Sequence, residues 1–129
     1  MSKLYKITLN GTQIGTSKLE KADAPMGVAF GQLEFNGIES PYKFLKEYCF
    51  NNEIELAFDY PEVKMISTMS ISEIKITSDK GIEIKGVGNQ ITGMDEEEYE
   101  ISIFGIPYPF YEEEFPNHVA EYRSMFDEK

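Results

Sequence analysis

Carboxylates are the one chemistry this sequence carries in quantity. Twenty-three Asp and Glu stand against twelve Lys and Arg, a formal charge of -11 with the single histidine neutral. The excess is not spread evenly. Residues 1–93 hold twelve acids and ten bases, whereas residues 94–129 hold eleven acids against only Arg123 and Lys129. Two runs carry most of it: Asp95-Glu96-Glu97-Glu98, with Glu100 close behind, and Glu112-Glu113-Glu114. Such blocks repel themselves and lower the stability of a compact chain. One reading is a solvated face that keeps the protein soluble. The other is an electrostatic landing site for a basic partner, and clustering favours it, because solubility alone needs none.

The segment Ile106–Pro116 sharpens that second reading. Three prolines stiffen it, and Tyr108, Phe110, Tyr111 and Phe115 stud it among the three acids. Rigid aromatics supply interface energy at low entropic cost, and a charged rim steers the encounter. An aromatic patch beside carboxylates would grip Lys or Arg through ion pairing and cation–π contact. The competing expectation is that the rings turn inward and cap the core, as aromatics commonly do.

Other chemistries find little to work with. His118 is the one histidine and Cys49 the one cysteine. A Ser-His-acid site would have to use His118, which reads as a surface or half-buried helix residue. Nothing around Cys49 (Glu47, Tyr48, Phe50) favours its thiolate. One Cys and one His fall short of a zinc site. The Asp95–Glu98 run lacks the alternating ligand spacing and central glycine of a calcium loop. The stretch Gly86–Gly93 fits neither a dinucleotide fingerprint nor a P-loop and reads as a glycine-laced strand and turn. A carboxylate pair of glycosidase type would lack a tryptophan platform for sugar, since the chain has no Trp. Asn10-Gly11-Thr12 is read as a turn rather than a glycosylation site. No catalytic residue, metal ligand or cofactor is therefore assigned.

A length of 129 residues predicts one domain, 1–129, and 41% apolar residues suffice for one core. The negative charge argues against nucleic acid and against anionic lipid as partners. No apolar stretch approaches the ~20 residues of a membrane span, and no signal-peptide core follows Met1. The expectation is a soluble, cytoplasmic domain, and one cysteine cannot form an internal disulfide.

The elements that must hold these groups are mostly strands. Tyr5, Ile7 and Leu9 alternate with polar residues, and Asn10-Gly11 predicts a type I′ turn into a return strand through Leu19. Val28–Phe35 reads as a strand whose interior Gly31 marks a bulge or a close backbone approach. Ser40-Pro41 predicts a helix start, with Phe44, Leu45, Tyr48 and Cys49 at helical spacing to about Phe50. A strand is expected at Ile54–Phe58, while Val63–Ser72 suits a strand or a turn. Ile74 and Ile76, then Ser78–Gly81, then Ile82, Ile84 and Val87 predict a hairpin whose Glu73, Lys75, Glu83 and Lys85 could pair across strands. Tyr99, Ile101 and Ile103 predict a further strand. Asn117–Phe126 predicts a last helix, with Val119, Tyr122 and Phe126 along one side. The class is α+β, with a mostly antiparallel, strongly curved sheet of six to eight strands and two short helices.

Ile14-Gly15-Thr16-Ser17-Lys18-Leu19-Glu20, followed by Asp23-Ala24-Pro25-Met26-Gly27-Val28-Ala29-Phe30-Gly31, resembles a pattern of small bacterial proteins, which implies a compact stand-alone domain but no activity. The acidic, small, enzyme-poor profile also resembles that of immunity proteins, which neutralise secreted toxins. Together these readings point to a non-enzymatic protein that binds a basic partner, in concrete form a bacterial toxin or nuclease. Asp95, Glu96, Glu97, Glu98, Glu112, Glu113 and Glu114 would steer the encounter, and Tyr108, Phe110 and Tyr111 would anchor it. Two alternatives stand beside it: a homo-oligomeric accessory domain joined through sheet edges, and a small enzyme working through converging acids in a pocket.

Overall fold

The computed structural model describes residues 3–127, with the backbone alone for 126 and 127. It is an α+β fold built on an antiparallel sheet that remains open. The strands among the described residues are β1 (Tyr5–Leu9), β2 (Thr12–Ser17), β3 (Lys21–Asp23), β4 (Val28–Phe35), β5 (Leu56–Tyr60), β6 (Met65–Thr68), β7 (Ile74–Thr77), β8 (Gly88–Met94) and β9 (Tyr99–Phe104). The helices are α1 (Pro41–Asn51), α2 (Phe110–Glu114) and α3 (Pro116–Asp127). Strand order is β5-β6-β8-β9-β4-β2-β1-β7, with β3 beside the first half of β4.

The first hairpin forms as its sequence demands. Asn10 and Gly11 take the two positive φ angles, 54° and 86°, and Leu9 pairs with Thr12. Gly31 is a site of close approach rather than a bulge. Its pairing with Ile101 is regular, but the Glu20 side chain lies where a Cβ would project and accepts the Gln32 N–H.

Alternation decides which side of the sheet is buried. Leu33, Tyr99 and Gly93 stand in one row, Gly31, Ile101 and Ile91 in the next, and Ala29, Ile103 and Asn89 in a third. Most of these side chains are buried, while the intervening Gln32, Glu100 and Thr92 face outward. Helix α1 packs against β6 and β8. It presents Tyr42, Leu45 and Cys49 to the core, with Phe44 and Tyr48 partly buried beside them. Ser40 caps it by accepting the Lys43 N–H, and Asn52 ends it by returning its backbone N–H to Tyr48.

Two expectations change and one open reading is resolved. The Ile74–Val87 hairpin is abbreviated: its return arm makes one bridge, Thr77 to Glu83, and the Ile84 N–H reaches Ile76. The chain then leaves for β9, where the Val87 N–H donates to Phe104. Gly86 permits the crossing, because a Cβ there would strike Ile103 and the Phe104 backbone. Glu73 takes hydrogen bonds from Ser72 and Tyr48 instead of a cross-strand lysine. The ambiguous Val63–Ser72 stretch contains strand β6. Finally, a third helix, α2, sits inside the proline-aromatic segment. In α3, Val119 is buried and Tyr122 reaches the surface; the Phe126 side chain lies outside the described residues.

Candidate functional site

Strand β9 separates the two acidic runs. Asp95–Glu98 forms the β8–β9 turn at one end of it, and α2 follows from the other. The five steps between its six residues, at about 3.4 Å each, place roughly 17 Å of strand between them. The runs therefore lie at opposite ends of β9 rather than side by side.

At the α2 end the aromatic segment turns inward. Tyr111 is fully buried, and its hydroxyl donates to the Val28 carbonyl at 2.8 Å. Phe110 is half-buried against the core. Tyr108 is 47% exposed, but its hydroxyl is spent on the Ala24 carbonyl. Glu114 is only 8% exposed and accepts from the Tyr5 hydroxyl (2.8 Å) and the Lys3 ammonium (3.3 Å). Glu112 pairs with Arg123 at 3.1 Å, which leaves Glu113 as the exposed member of its run. Tyr111 and Glu114 thus belong to the interior, where a partner does not reach them. The Phe115 ring lies against both Tyr111 and Tyr5, and all three belong to the same buried cluster as Ile106.

The β8–β9 turn is built differently. Asp95 points back into the protein and ties three segments together. It accepts from the Ser40 hydroxyl, from the Tyr42 N–H (2.8 Å) and from the Tyr99 hydroxyl (2.8 Å), while its own N–H donates to the Lys64 carbonyl. With Ser40 serving the Lys43 N–H, Asp95 satisfies a second orphan donor at the start of α1, beside the positive end of the helix dipole. Partial burial would raise its carboxyl, but Ser40, Tyr42, Tyr99 and the positive Lys64 outweigh it and hold the group below the usual carboxylate range. Asp95 is a positioning residue. Beyond it, Glu96, Glu97 and Glu98 are exposed in succession, and none makes an ion pair among the described residues.

Asp95 also gathers neighbours that periodicity does not reveal. Glu39 precedes Ser40, and Glu62 sits two residues before Lys64, so both exposed acids come to the same end of the molecule. Next to them Tyr42 donates to Asp59 at 2.6 Å, and Lys46 pairs with Asp59 at 3.0 Å. Burial opposes the Asp59 charge, yet Tyr42 and Lys46 prevail and lower its pKa. Asp59, Glu73 and Asp95 are all held toward the charged form, the reverse of what a carboxyl proton donor needs.

The remaining candidates serve the fold. Burial pushes the Cys49 thiol up, away from reactivity. His118 stacks on Phe115 and its Nε2 lies 2.8 Å from the Leu19 carbonyl. Among the described residues no three His, Cys, Asp or Glu side chains are grouped as metal ligands would be. No described helix is long and apolar enough to cross a membrane. A cleft of about 510 Å³ opens between β7 and the start of β8, lined by Ile74, Ile76, Glu73, Glu83 and Asn89.

No protein-family model, curated protein or solved structure matches this chain. The reading of function therefore rests on the geometry alone.

Asp95 provides a pH test. A carboxyl lowered by folding stabilises the native state above its ordinary pKa, and that stability is lost as pH falls through the folded value. Asp95→Asn keeps an acceptor for the Tyr42 N–H but removes the charge. It should cost about 2 kcal/mol at pH 7, discounted for partial exposure. The gap to the parent chain should close as pH falls below about 4. Asp59 and Glu73 contribute with the same sign in both proteins, so the difference isolates Asp95. Urea midpoints against pH measure it; a gap constant from pH 7 to pH 2 would contradict the charge's role.

Proposed function

We propose that this chain is a non-enzymatic binding protein that engages a basic protein surface through the tip formed by Glu96, Glu97 and Glu98. The observation that carries this reading is three consecutive exposed carboxylates, with no ion pair among the described residues, on a turn that Asp95 anchors to α1 and to the β5–β6 turn. A fixed turn presents its charges without first ordering a loop, so less of the attraction is lost on binding. The contribution falls chiefly on the rate of encounter and on exclusion of acidic partners. In its most concrete form the partner is a cationic bacterial toxin or nuclease that this protein would neutralise. Relative to the sequence reading, Tyr111 and Glu114 leave the interface because they are buried, Glu112 because it pairs with Arg123, and Glu113 because it stands alone beyond the far end of β9.

The test compares Glu96→Gln, Glu97→Gln and Glu98→Gln combined with a Glu113→Gln control. The parent protein is used to capture partners from its native cell, and affinity for the captured protein is then measured against salt. The triple variant should bind about tenfold more weakly at low salt, with a flatter salt dependence, since each exposed pair is worth up to ~1 kcal/mol. The control should behave as the parent. Equal affinity and equal salt dependence of the triple variant would refute the proposal.

A further inference from the structure

The two ends of the sheet are not equivalent. At β7 the outer edge is partly covered, because the returning chain places Glu83 opposite Thr77 and the Ile84 N–H on Ile76. At β5 the sheet simply stops. Among the described residues only β6 pairs with it, so alternate N–H and C=O groups of Leu56–Tyr60 face away from the sheet. Beside this edge lies an apolar depression of about 460 Å³ between the last turns of α1 and the entry to β5, lined by Lys46, Cys49, Phe50, Ile54 and Leu56. Phe50, in its lining, is 83% exposed, and Tyr60, the last residue of β5, is 51% exposed.

Acids outnumber bases along this border, where the bases are Lys46 and Lys64. Glu47, Glu53, Glu55 and Glu62 are exposed and make no ion pair among the described residues, while Lys46 is already held by Asp59. A second copy of the chain would bring these acids against their own kind. The register shift between Leu56 and Phe58 also breaks the flatness that repeated self-stacking requires. Apolar contact, open backbone groups and negative flanks together fit a different occupant.

We propose that β5 is a docking edge for an extended basic segment of a partner protein, one alternating Lys or Arg with apolar residues, which adds as a further strand. Backbone pairing supplies affinity in such an addition, and alternate side chains supply selectivity. The apolar side chains of the segment enter the depression beside Phe50, a cation at its end reaches Glu47 on the rim, and its remaining cations project to the opposite face, where Glu55 alternates with Leu56. The proposal rests on the basic-partner reading, and it specifies a contact separate from the β8–β9 tip. Met65 pairs with Met94, so the end of β5–β6 lies next to that tip and one partner can span both.

The probe is a synthetic peptide of about seven residues alternating lysine and leucine, the length of an ordinary strand. Three comparisons accompany it: a glutamate-leucine peptide, the lysine peptide N-methylated at alternate residues, and the variant Glu47→Lys with Glu55→Lys. The expected result is slowed amide exchange in Leu56–Tyr60 on adding the lysine peptide, none with the glutamate peptide, and loss of binding on N-methylation. The double variant should bind about fivefold more weakly, for two exposed charge contacts. Protection confined to residues 95–99, abolished by glutamine at 96–98, would overturn strand addition while leaving the tip proposal standing. Undiminished binding of the N-methylated peptide, or peptide-free dimerisation through β5 seen by sedimentation, would also overturn it. Binding at β5 that persists in the 96–98 glutamine variant would uphold the edge even if the tip proposal failed.

Discussion

Replacing Tyr111 by Ala should lower the thermal midpoint by ~15 °C, corresponding to about 4 kcal/mol for loss of a fully buried ring from a chain of this size. The ring is wedged between Tyr108 and Phe115, each about 5.2 Å away centre to centre, and Phe115 in turn meets Tyr5. Burial also raises the Tyr111 hydroxyl pKa, so the group stays protonated and donates to Val28 across the physiological range. Tyr111→Phe separates the two contributions. It keeps the ring and leaves the Val28 carbonyl without that donor, which should cost about 1 kcal/mol. Calorimetry of both variants measures the difference. A Tyr111→Ala protein that melts within a few degrees of the parent yet no longer captures a basic partner would return this ring to the interface.

That residue also marks where sequence reading ends. The hairpin at Asn10-Gly11, the cap at Ser40-Pro41 and the strand at Tyr99–Ile103 rest on interactions between near neighbours, and their local patterns are legible. Helix α2 has five residues, too few for a 3.6-residue period to stand out, and prolines flank it. What settles Tyr111, Glu114 and Phe115 is contact with Val28, Tyr5 and Lys3, more than eighty residues away along the chain. The same holds for Asp95. As one of four consecutive acids it looks interchangeable with the next three, and only the approach of Ser40 and Tyr42, from a helix more than fifty residues earlier, turns it inward. Glu96, Glu97 and Glu98 were readable as exposed charge because nothing distant competes for them. Compositional asymmetry picks out the quarter of the chain in which acids cluster, but long-range packing decides which of its carboxylates are exposed and unpaired among the described residues.

Gly93→Ala should be about as damaging per atom added as any change in the molecule. A methyl group there would come within 2.6 Å of the Tyr99 Cα and closer still to the Glu98 carbonyl oxygen. Both obstacles include backbone, and Gly93 pairs with Tyr99 on one side and with Ile66 on the other, so neither strand can retreat freely. Overpacking of this kind costs about 3 kcal/mol, or roughly 10 °C in thermal midpoint. Gly88 supplies the contrast. A methyl there meets the Ser70 side chain and no backbone atom, and a hydroxyl can rotate aside at the expense of its bond to Asn89. Gly88→Ala should therefore cost nearer 1 kcal/mol. Because the β8–β9 turn hangs from the strands that Gly93→Ala forces apart, its amide resonances at Asp95 and Tyr99 should shift as well, while those around Gly88→Ala leave the turn unmoved. Equal stability of the two variants would mean that β8 uses its glycines for slack. A wide difference would mean that it uses Gly93 to bring two backbones together, and with them the Tyr99 hydroxyl that holds Asp95 in place.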